Sequence, residues 1–541
     1  MKTGCTSTPT ANSPADRSRS VALWGCICIC LCLYFLFSDL RGISTDEGIR
    51  LLAMNGNRLF STEYWGTPAT TREVLETVSV HTGYQPMFYV IENWVMRIAQ
   101  SRDLVLLKSV NILTIAACMV VSLQMTRDWP FAPRLFLILT TYFSSGMFMH
   151  VLQVREYSLG FLFLAAVYFA AERLMRRDTR RFAIDIVPYG ALGLLIGLAT
   201  LNSFWIAPAS SGACAALVLT STKRWATLAR VVVTAVVVGC IVGATHLELG
   251  LDGKIDVGIW EGNATYARFA GGVVAGLSSA SLGYFPRFGS IQFFAGGVIS
   301  VVLIVFGATL LVRQTRDGRS CDVMERHCAL SVAMILSLLA FQLFYFVVRR
   351  DALAIWSRYF FQHLWLLHIL AAATLGVLYG WWKEQGARKQ LYLGCLTTIL
   401  VIGAACLAKG GPLAYRDSPY YDTTLTRGCE WRSLAPLVRD LSGSDSIVFS
   451  RLLEAGTITF SANFSNRMYI WDDLPVDAKQ WPASFLLVDF RGLFTQEQIA
   501  TRNAAIKNAG YRDAGSNVLV PRAGRDCNLA ALTTRFVRAG S

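Results

Sequence analysis

The chain has 541 residues, of which 54% are hydrophobic and only 16% charged, and its mean hydropathy is +0.43. A soluble protein of this length carries about a quarter charged residues, so the composition excludes a soluble globular enzyme and indicates a polytopic α-helical membrane protein. The formal net charge of +14 does not mark a nucleic-acid binder, because no basic patch is interleaved with aromatic residues.

Basic residues instead concentrate in short loops, Arg127–Arg134, Arg173–Arg181, Lys223–Arg230, Arg313–Arg326 and Lys383–Lys389, in a positive-inside pattern. A cytoplasmic tail, 1–20, leads into the first apolar run, Val21–Phe37. Arg17 and Arg19 precede that run, but Ser38-Asp39-Leu40-Arg41-Gly42 follows it with no small-x-small cleavage site, so it reads as an uncleaved helix. Cys26, Cys28, Cys30 and Cys32 alternate within it. Residues two apart on a helix diverge, so the four cannot converge on a metal ion.

Loop charges and run lengths predict about eleven spans, near 21–38, 105–126, 132–150, 157–173, 184–201, 204–220, 230–247, 291–312, 328–348, 360–380 and 391–408. The N-terminus is then cytoplasmic and the C-terminus external, with Pro188, Asn202 and Pro208 interrupting the tract at 184–220. The domains expected are a transmembrane module at 21–408, with an external loop at 39–103, and a small extracytoplasmic α/β domain at 409–541.

In the first external loop, Met87, Ile91, Trp94, Val95 and Ile98 form an apolar stripe at helical spacing, with Glu92, Asn93, Arg97 and Gln100 pointing elsewhere. The stripe suits either a helix lying in the membrane interface or one packed on neighbouring protein. The glycine-rich segment 248–290 reads as an external loop with a turn at Gly283-Tyr284-Phe285-Pro286-Arg287. In the last segment, strand-like runs at Ser446–Phe449, Met468–Trp471, Phe485–Phe490 and Val518–Pro521 alternate with helical patterns at Trp431–Leu441 and Thr495–Ala509. No phosphate-binding glycine loop interrupts them. Cys429 and Cys527 are the only cysteines of that segment, and an external location makes them a candidate disulfide.

The residues able to do chemistry fall on one side of this topology. Asp46 and Glu47 follow the first span, Tyr89 opens the amphipathic helix, and Gln153, Arg155, Glu156 and Tyr157 occupy the turn before the fourth span. Arg349, Arg350, Arg358 and Tyr359 surround the turn before the tenth. A carboxylate facing several arginines at a membrane surface suits transfer of a sugar from a polyprenyl phosphate. The base deprotonates the acceptor hydroxyl, and fixed guanidinium charge receives the leaving phosphate. Each residue also has a structural reading, such as pairing of Arg50 with Asp46 or Glu47 at helical spacing. A transporter or flippase of lipid-linked sugars is the rival function, and a non-catalytic assembly subunit a third.

The order of these islands resembles the GT-C glycosyltransferases, and among them the bacterial relatives of protein O-mannosyltransferases and lipid A aminoarabinose transferases. The residues that carry the resemblance are Thr45-Asp46-Glu47-Gly48-Ile49-Arg50, Gln85-Pro86-Met87-Phe88-Tyr89, Leu107-Lys108-Ser109, Gln153-Val154-Arg155-Glu156-Tyr157-Ser158-Leu159, Ser357-Arg358-Tyr359 and Trp431-Arg432. The resemblance implies an inverting transferase of the cell inner membrane, using a polyprenyl-phosphate-linked sugar and a carbohydrate, lipid or protein acceptor. It implies Asp46 as general base with Glu47 in support, Arg155, Arg349 and Arg358 on the donor phosphate, and Tyr89, Glu156, Tyr157 and Tyr359 in the pocket. No organic cofactor is implied, no metal ligand set is visible, and dependence on a divalent metal stays open. The chain departs from the family at Gln153, where the family has Glu, and at Asn202, where it often has His. Glu156 is the neighbouring carboxylate able to stand in.

Overall fold

The structure, a computed structural model, describes residues 14–38, 70–75, 86–100, 104–176, 182–248, 265–282, 290–317, 322–349, 360–384, most of 390–400, 429–450 and, beyond these, 458, 466, 468–471, 474, 477–491, 495–523 and 530–539. It divides into two compact units. The first comprises Met1–Leu36, Asn111–Leu152 and Glu156–Asp417, and the second comprises Phe37–Val110, Gln153–Arg155 and Ser418–Ser541.

The principal helices before residue 390 are α1 (Pro14–Ser38), α2 (Pro86–Ala99), α3 (Leu104–Met125), α4 (Phe131–Tyr142), α5 (Ser145–Val151), α6 (Tyr157–Arg176) and α7 (Phe182–Asn202). They continue with α8 (Ile206–Leu219), α9 (Arg224–Glu248), α10 (Tyr266–Leu282), α11 (Ser290–Asp317), α12 (Val323–Arg349) and α13 (Phe361–Glu384). Among the described residues, seven helices are long and apolar enough to cross a membrane, and three shorter apolar helices accompany them. The protein is a multi-pass membrane protein.

Two expectations change. The span predicted at 132–150 is two helices, α4 and α5, because Ser144 caps the second by accepting a hydrogen bond from the Met147 amide at 3.2 Å. The break leaves the Tyr142 carbonyl without a helical partner. The Tyr34 hydroxyl donates to that carbonyl at 2.7 Å and the Cys30 thiol at 3.1 Å, both from α1. The Tyr142 hydroxyl is likewise held, 2.6 Å from Ser122 Oγ and 3.4 Å from the Trp365 indole nitrogen.

The second change is α10, which occupies 17 residues of the stretch expected to be an external loop. Its small residues allow close approach to its neighbours. Ser300 Oγ donates to the Leu277 carbonyl at 3.0 Å, joining α10 to α11, and Phe269 stacks on Phe346 of α12 at 4.4 Å. Elsewhere α8 and α12 touch backbone to backbone at Gly212, where a Cβ would lie 2.4 Å from the Ala333 carbonyl oxygen. For the span predicted at 391–408, the described residues of 390–400 are helical and the remainder lies outside the described residues.

At one end of the bundle, Arg176 of α6 bridges Asp128 and Glu172, and Glu172 lies 3.9 Å from His327 of α12. The Arg176 contact holds the Asp128 carboxyl below the ordinary range. The Glu172 side chain is 1% exposed, so Arg176 is the cation that compensates its burial.

In the second unit, residues from 429 onward form the predicted α/β domain. Its helices are α14 (Ala435–Ser442) and α15 (Gln496–Asn508), and its main strands are β2 (Ser446–Phe449), β3 (Met468–Ile470), β4 (Ser484–Arg491), β5 (Tyr511–Leu519) and β7 (Ala530–Arg538). The strand order is β3-β2-β4-β7-β5, with β2 parallel to β3 and β4, and the pairs β4–β7 and β7–β5 antiparallel. A separate ladder pairs β1 (Cys429–Glu430) with β6 (Arg522–Ala523). Val448, Phe485, Leu487, Ile506, Tyr511 and Phe536 form the core under α15, and a Thr495–Gln498 capping box starts that helix. Of the short run predicted at Val518–Pro521, only Val518 and Leu519 are strand, as the end of the nine-residue β5, and β7 was not foreseen.

Removing Arg176 tests the charge cluster. Arg176→Ala should cost about 3 kcal/mol by leaving a buried carboxylate unpaired, and adding Glu172→Gln should recover most of that loss. Thermal unfolding of the purified full-length protein in detergent measures both. Equal midpoints for wild type and Arg176→Ala would remove the cluster from any role in stability.

Candidate active site

Several predicted residues lie outside the described residues: Asp46, Glu47, Arg358, Tyr359 and Cys527. Arg349 closes α12 and Cys429 opens β1, but their side chains are likewise outside the description. The described candidates are Tyr89 and Arg155 in the second unit, and Glu156 and Tyr157 in the first.

In the second unit, α2 displays the amphipathic pattern in a revealing orientation. Trp94 is 50% and Ile98 85% exposed, while Pro86, Phe88, Tyr89, Glu92, Asn93 and Met96 are buried. Trp94 and Ile98 of the apolar stripe therefore face outward together with Arg97, while Glu92 and Asn93 of the polar side pack inward beside Phe88 and Met96. The 14 residues rise about 21 Å, short of the roughly 30 Å hydrocarbon core. Tyr89 is fully buried, with its ring edge-on to Phe88 at 5.5 Å. Lys108 at the start of α3 donates to the Ser38 carbonyl at 2.6 Å, so a cation caps the C-terminal end of α1, eight residues before Asp46.

Gln153 and Arg155 are both buried, and the Arg155 amide donates to the Gln153 carbonyl at 2.9 Å in a tight reversal. A buried guanidinium in a short turn between helices is a fixed positive charge of the kind a phosphate demands.

Glu92 was read only as a residue of the helix's polar side. It is fully buried, and among the described residues neither carboxyl oxygen has a hydrogen-bond partner. Burial pushes its carboxyl well above the ordinary range. The signal for it in the sequence is a carboxylate opposite an apolar stripe that faces out.

In the first unit, Glu156 and Tyr157 open α6. The Glu156 carbonyl accepts from the Gly160 amide at 2.8 Å and from Asn202 Nδ2 at 3.2 Å, so Asn202 serves as a structural clamp on the start of α6. Tyr157 sits in an aromatic box, 4.7 Å from the His150 ring and 5.2 Å from Phe361. Phe161 closes the box against Phe361 at 5.3 Å. His150 and Phe361 were not among the sequence candidates; both lie in apolar runs that periodicity alone assigns to core. Three further buried polar residues of this unit, Gln342, Gln362 and His363, also went unremarked in the sequence. Among the described residues, no three or more of His, Cys, Asp and Glu gather as metal ligands would.

No family model matches the sequence, and no curated protein matches it. Solved structures do. ArnT from Cupriavidus metallidurans in the apo state matches with a TM-score of 0.53 at 12% identity, covering 96% of this chain and 98% of that one. The chain has the GT-C fold. The same ArnT bound to undecaprenyl phosphate matches with a TM-score of 0.46 at 12% identity over 94% and 97% of the two chains. An Archaeoglobus fulgidus oligosaccharyltransferase tethered with an acceptor peptide matches at 0.45 and 12% identity, over 82% of this chain and 63% of that longer one. The GT-C match takes in both the helical bundle and the sheet domain, since it leaves only a few per cent of either chain uncovered.

The raised Glu92 carboxyl makes a pH prediction. A carboxyl whose native pKa exceeds its unfolded one binds more protons when folded. Its contribution is therefore most favourable in acid and is lost as pH rises from the ordinary carboxylate value through the raised one. Thermal midpoints of Glu92→Gln should accordingly exceed wild type at about pH 8 and converge with it near pH 4. Parallel midpoint curves across that range would show that Glu92 is already ionised in the folded protein.

Proposed function

We propose that the protein is a membrane glycosyltransferase that moves a sugar from a polyprenyl phosphate to an acceptor hydroxyl on the outer face of the cytoplasmic membrane, with inversion. The observation that carries this reading is the match of almost the whole chain, bundle and sheet domain together, to apo ArnT. ArnT binds undecaprenyl phosphate, and this chain supplies the residue chemistry that such a lipid needs.

In this reading Asp46 takes the proton of the acceptor hydroxyl, and Glu47 supports it from the next position. The freed oxygen attacks the anomeric carbon from the face opposite the phosphate. The bond from that carbon to the phosphate oxygen breaks, and polyprenyl phosphate departs with the negative charge. Arg155, Arg349 and Arg358 receive that charge. A guanidinium held before the reaction begins needs no reorganisation as the charge develops, which is where such a group lowers the barrier most. Tyr89 and Tyr157, both buried, and Tyr359 shape the pocket. The Glu156 backbone carbonyl is committed to Gly160 and Asn202, which fixes where its carboxylate starts and suits it to a positioning role. The acceptor is a carbohydrate, lipid or protein hydroxyl, and no nucleic acid takes part.

Asp46→Asn should lower transfer by at least about a hundredfold while leaving membrane expression intact. Arg155→Ala and Arg358→Ala should each weaken binding of undecaprenyl phosphate by about tenfold, the loss of one charge-assisted contact. Released carrier lipid, quantified by mass spectrometry with a panel of polyprenyl-phosphate sugars, measures the first. Unchanged turnover in Asp46→Asn would refute the base assignment, and wild-type lipid affinity in both arginine variants would refute the clamp.

A further inference from the structure

Among the described residues, three buried polar side chains near one end of α12 and the start of α13 have no partner. Gln342, Gln362 and His363 are fully buried, and among the described residues neither carboxamide nor either imidazole nitrogen of His363 has a hydrogen-bond partner. Ordinary polar residues of this bundle are satisfied locally, as when Ser210, Thr220 and Thr309 donate to carbonyls four residues back. The Gln314 carboxamide and the hydroxyls of Thr141 and Ser158 are exceptions too, but Gln342, Gln362 and His363 lie at one level of the α12–α13 pair.

Their common location follows from helix register. Cys328 Sγ lies 3.8 Å from Thr374 Oγ1, and Val332 and Leu370 both close on Gly307, so α12 and α13 run antiparallel with those residues level. Extending this register toward the end of α12 brings Gln342 level with the first turn of α13, where Gln362 and His363 stand. His363 precedes Leu370 by seven residues and Thr374 by eleven, so it shares their face, the one turned toward α12. Gln342 stands one turn before Phe346, which stacks on Phe269 of α10. Phe360, whose ring lies 4.8 Å from that of His363, presses on α10 at Gly276, where a Cβ would meet the ring at 2.5 Å. Two aromatic contacts with α10 thus bracket the polar trio.

We propose that Gln342, Gln362 and His363 form the subsite that recognises the hydroxyl groups of the donor's sugar; this rests on the glycosyltransferase reading above. The chemistry points to hydroxyls over phosphate. The carboxamides are neutral, and each presents a donor and an acceptor, as a sugar hydroxyl does. An imidazole offers one of each in its neutral form. The Phe360 ring beside His363 supplies the apolar face on which the C–H side of a sugar ring packs. In chain order the trio sits inward of Arg349 and Arg358, the proposed phosphate contacts, by seven residues on α12 and by four and five at the start of α13.

The test uses the purified full-length protein in detergent, with undecaprenyl phosphate and its mannosyl, glucosyl and arabinosyl derivatives as probes. Wild type should bind at least one glycosylated lipid about tenfold more tightly than the bare phosphate, the value of roughly one well-placed hydrogen bond. Gln342→Leu, Gln362→Leu and His363→Leu should each lose that preference, bind bare undecaprenyl phosphate as wild type does, and unfold at an equal or higher temperature without lipid. Preference retained in all three variants overturns the subsite while leaving the donor reading intact. So does a lower lipid-free midpoint with preference retained, which would mark a structural water cluster. A wild type that binds the glycosylated lipids no better than the bare phosphate also overturns the subsite. A wild type that binds none of the four lipids overturns the donor reading itself, and the subsite with it.

Discussion

Every polar atom inside an apolar bundle must find its partner in the protein, because the surrounding hydrocarbon offers none. An unmet backbone group there costs several kcal/mol. The clearest response to this constraint is the cap on Tyr142. Its carbonyl is released where α4 stops, and α1 supplies both the Tyr34 hydroxyl and the Cys30 thiol to it. A break in a helix is tolerable at this depth only because another helix brings donors to it. The alternating cysteines of α1 thereby acquire a use. Cys30 turns inward to that carbonyl, while Cys28 and Cys32 face outward.

The same constraint decides which features could be read in advance. Long apolar runs with basic flanks identify α3, α6, α9, α11, α12 and α13, because hydropathy over about 20 residues is the physical requirement for crossing. The α4–α5 break is invisible to that measure, since the residues that make it affordable, Cys30 and Tyr34, lie more than a hundred positions away. Helix α10 is hidden for a different reason. Its glycines and serines read as loop, yet they permit contacts such as that of Gly276 with Phe360. In the sheet domain, β2, β4 and α15 show their periodicity plainly. Strand β5 does not: most of its residues are exposed, and its pairing with β7 supplies the order that its side chains do not.

The candidate site divides along the same line. Arg155, Tyr89, Glu156 and Tyr157 could be picked out by residue type and chain order, and all four are buried. Glu92 could not, because a helical wheel carries no sign. It separates two faces without saying which one looks inward. In water the apolar face turns in, but at a membrane interface it can turn out, and on α2 Trp94 and Ile98 are exposed while Glu92 and Asn93 are buried. The inward turn at Glu92 and Asn93 is what buries a carboxyl. Asn202 illustrates the converse. Marked as a departure from a family pattern, it turns out to hold a backbone carbonyl, a task that a carboxamide performs well.

Residue type is therefore a weaker guide to role in this bundle than the state of the partners. Glu172 and Glu92 are equally buried acids, but Glu172 meets Arg176 and stands near His327 while Glu92 meets no donor among the described residues. The first holds elements together, and its cost has been offset within the fold. For Glu92 the described residues hold no such offset, and burial favours its neutral form. The same reasoning separates Tyr168, which lies 2.9 Å from Ser331 Oγ and donates to the His327 carbonyl, from Gln342, Gln362 and His363. Each unpaired group costs on the order of 1–3 kcal/mol, and apolar side chains of similar size would avoid that cost. Stability alone therefore gives no reason for polar residues at these three positions, whereas a hydroxyl-bearing ligand would.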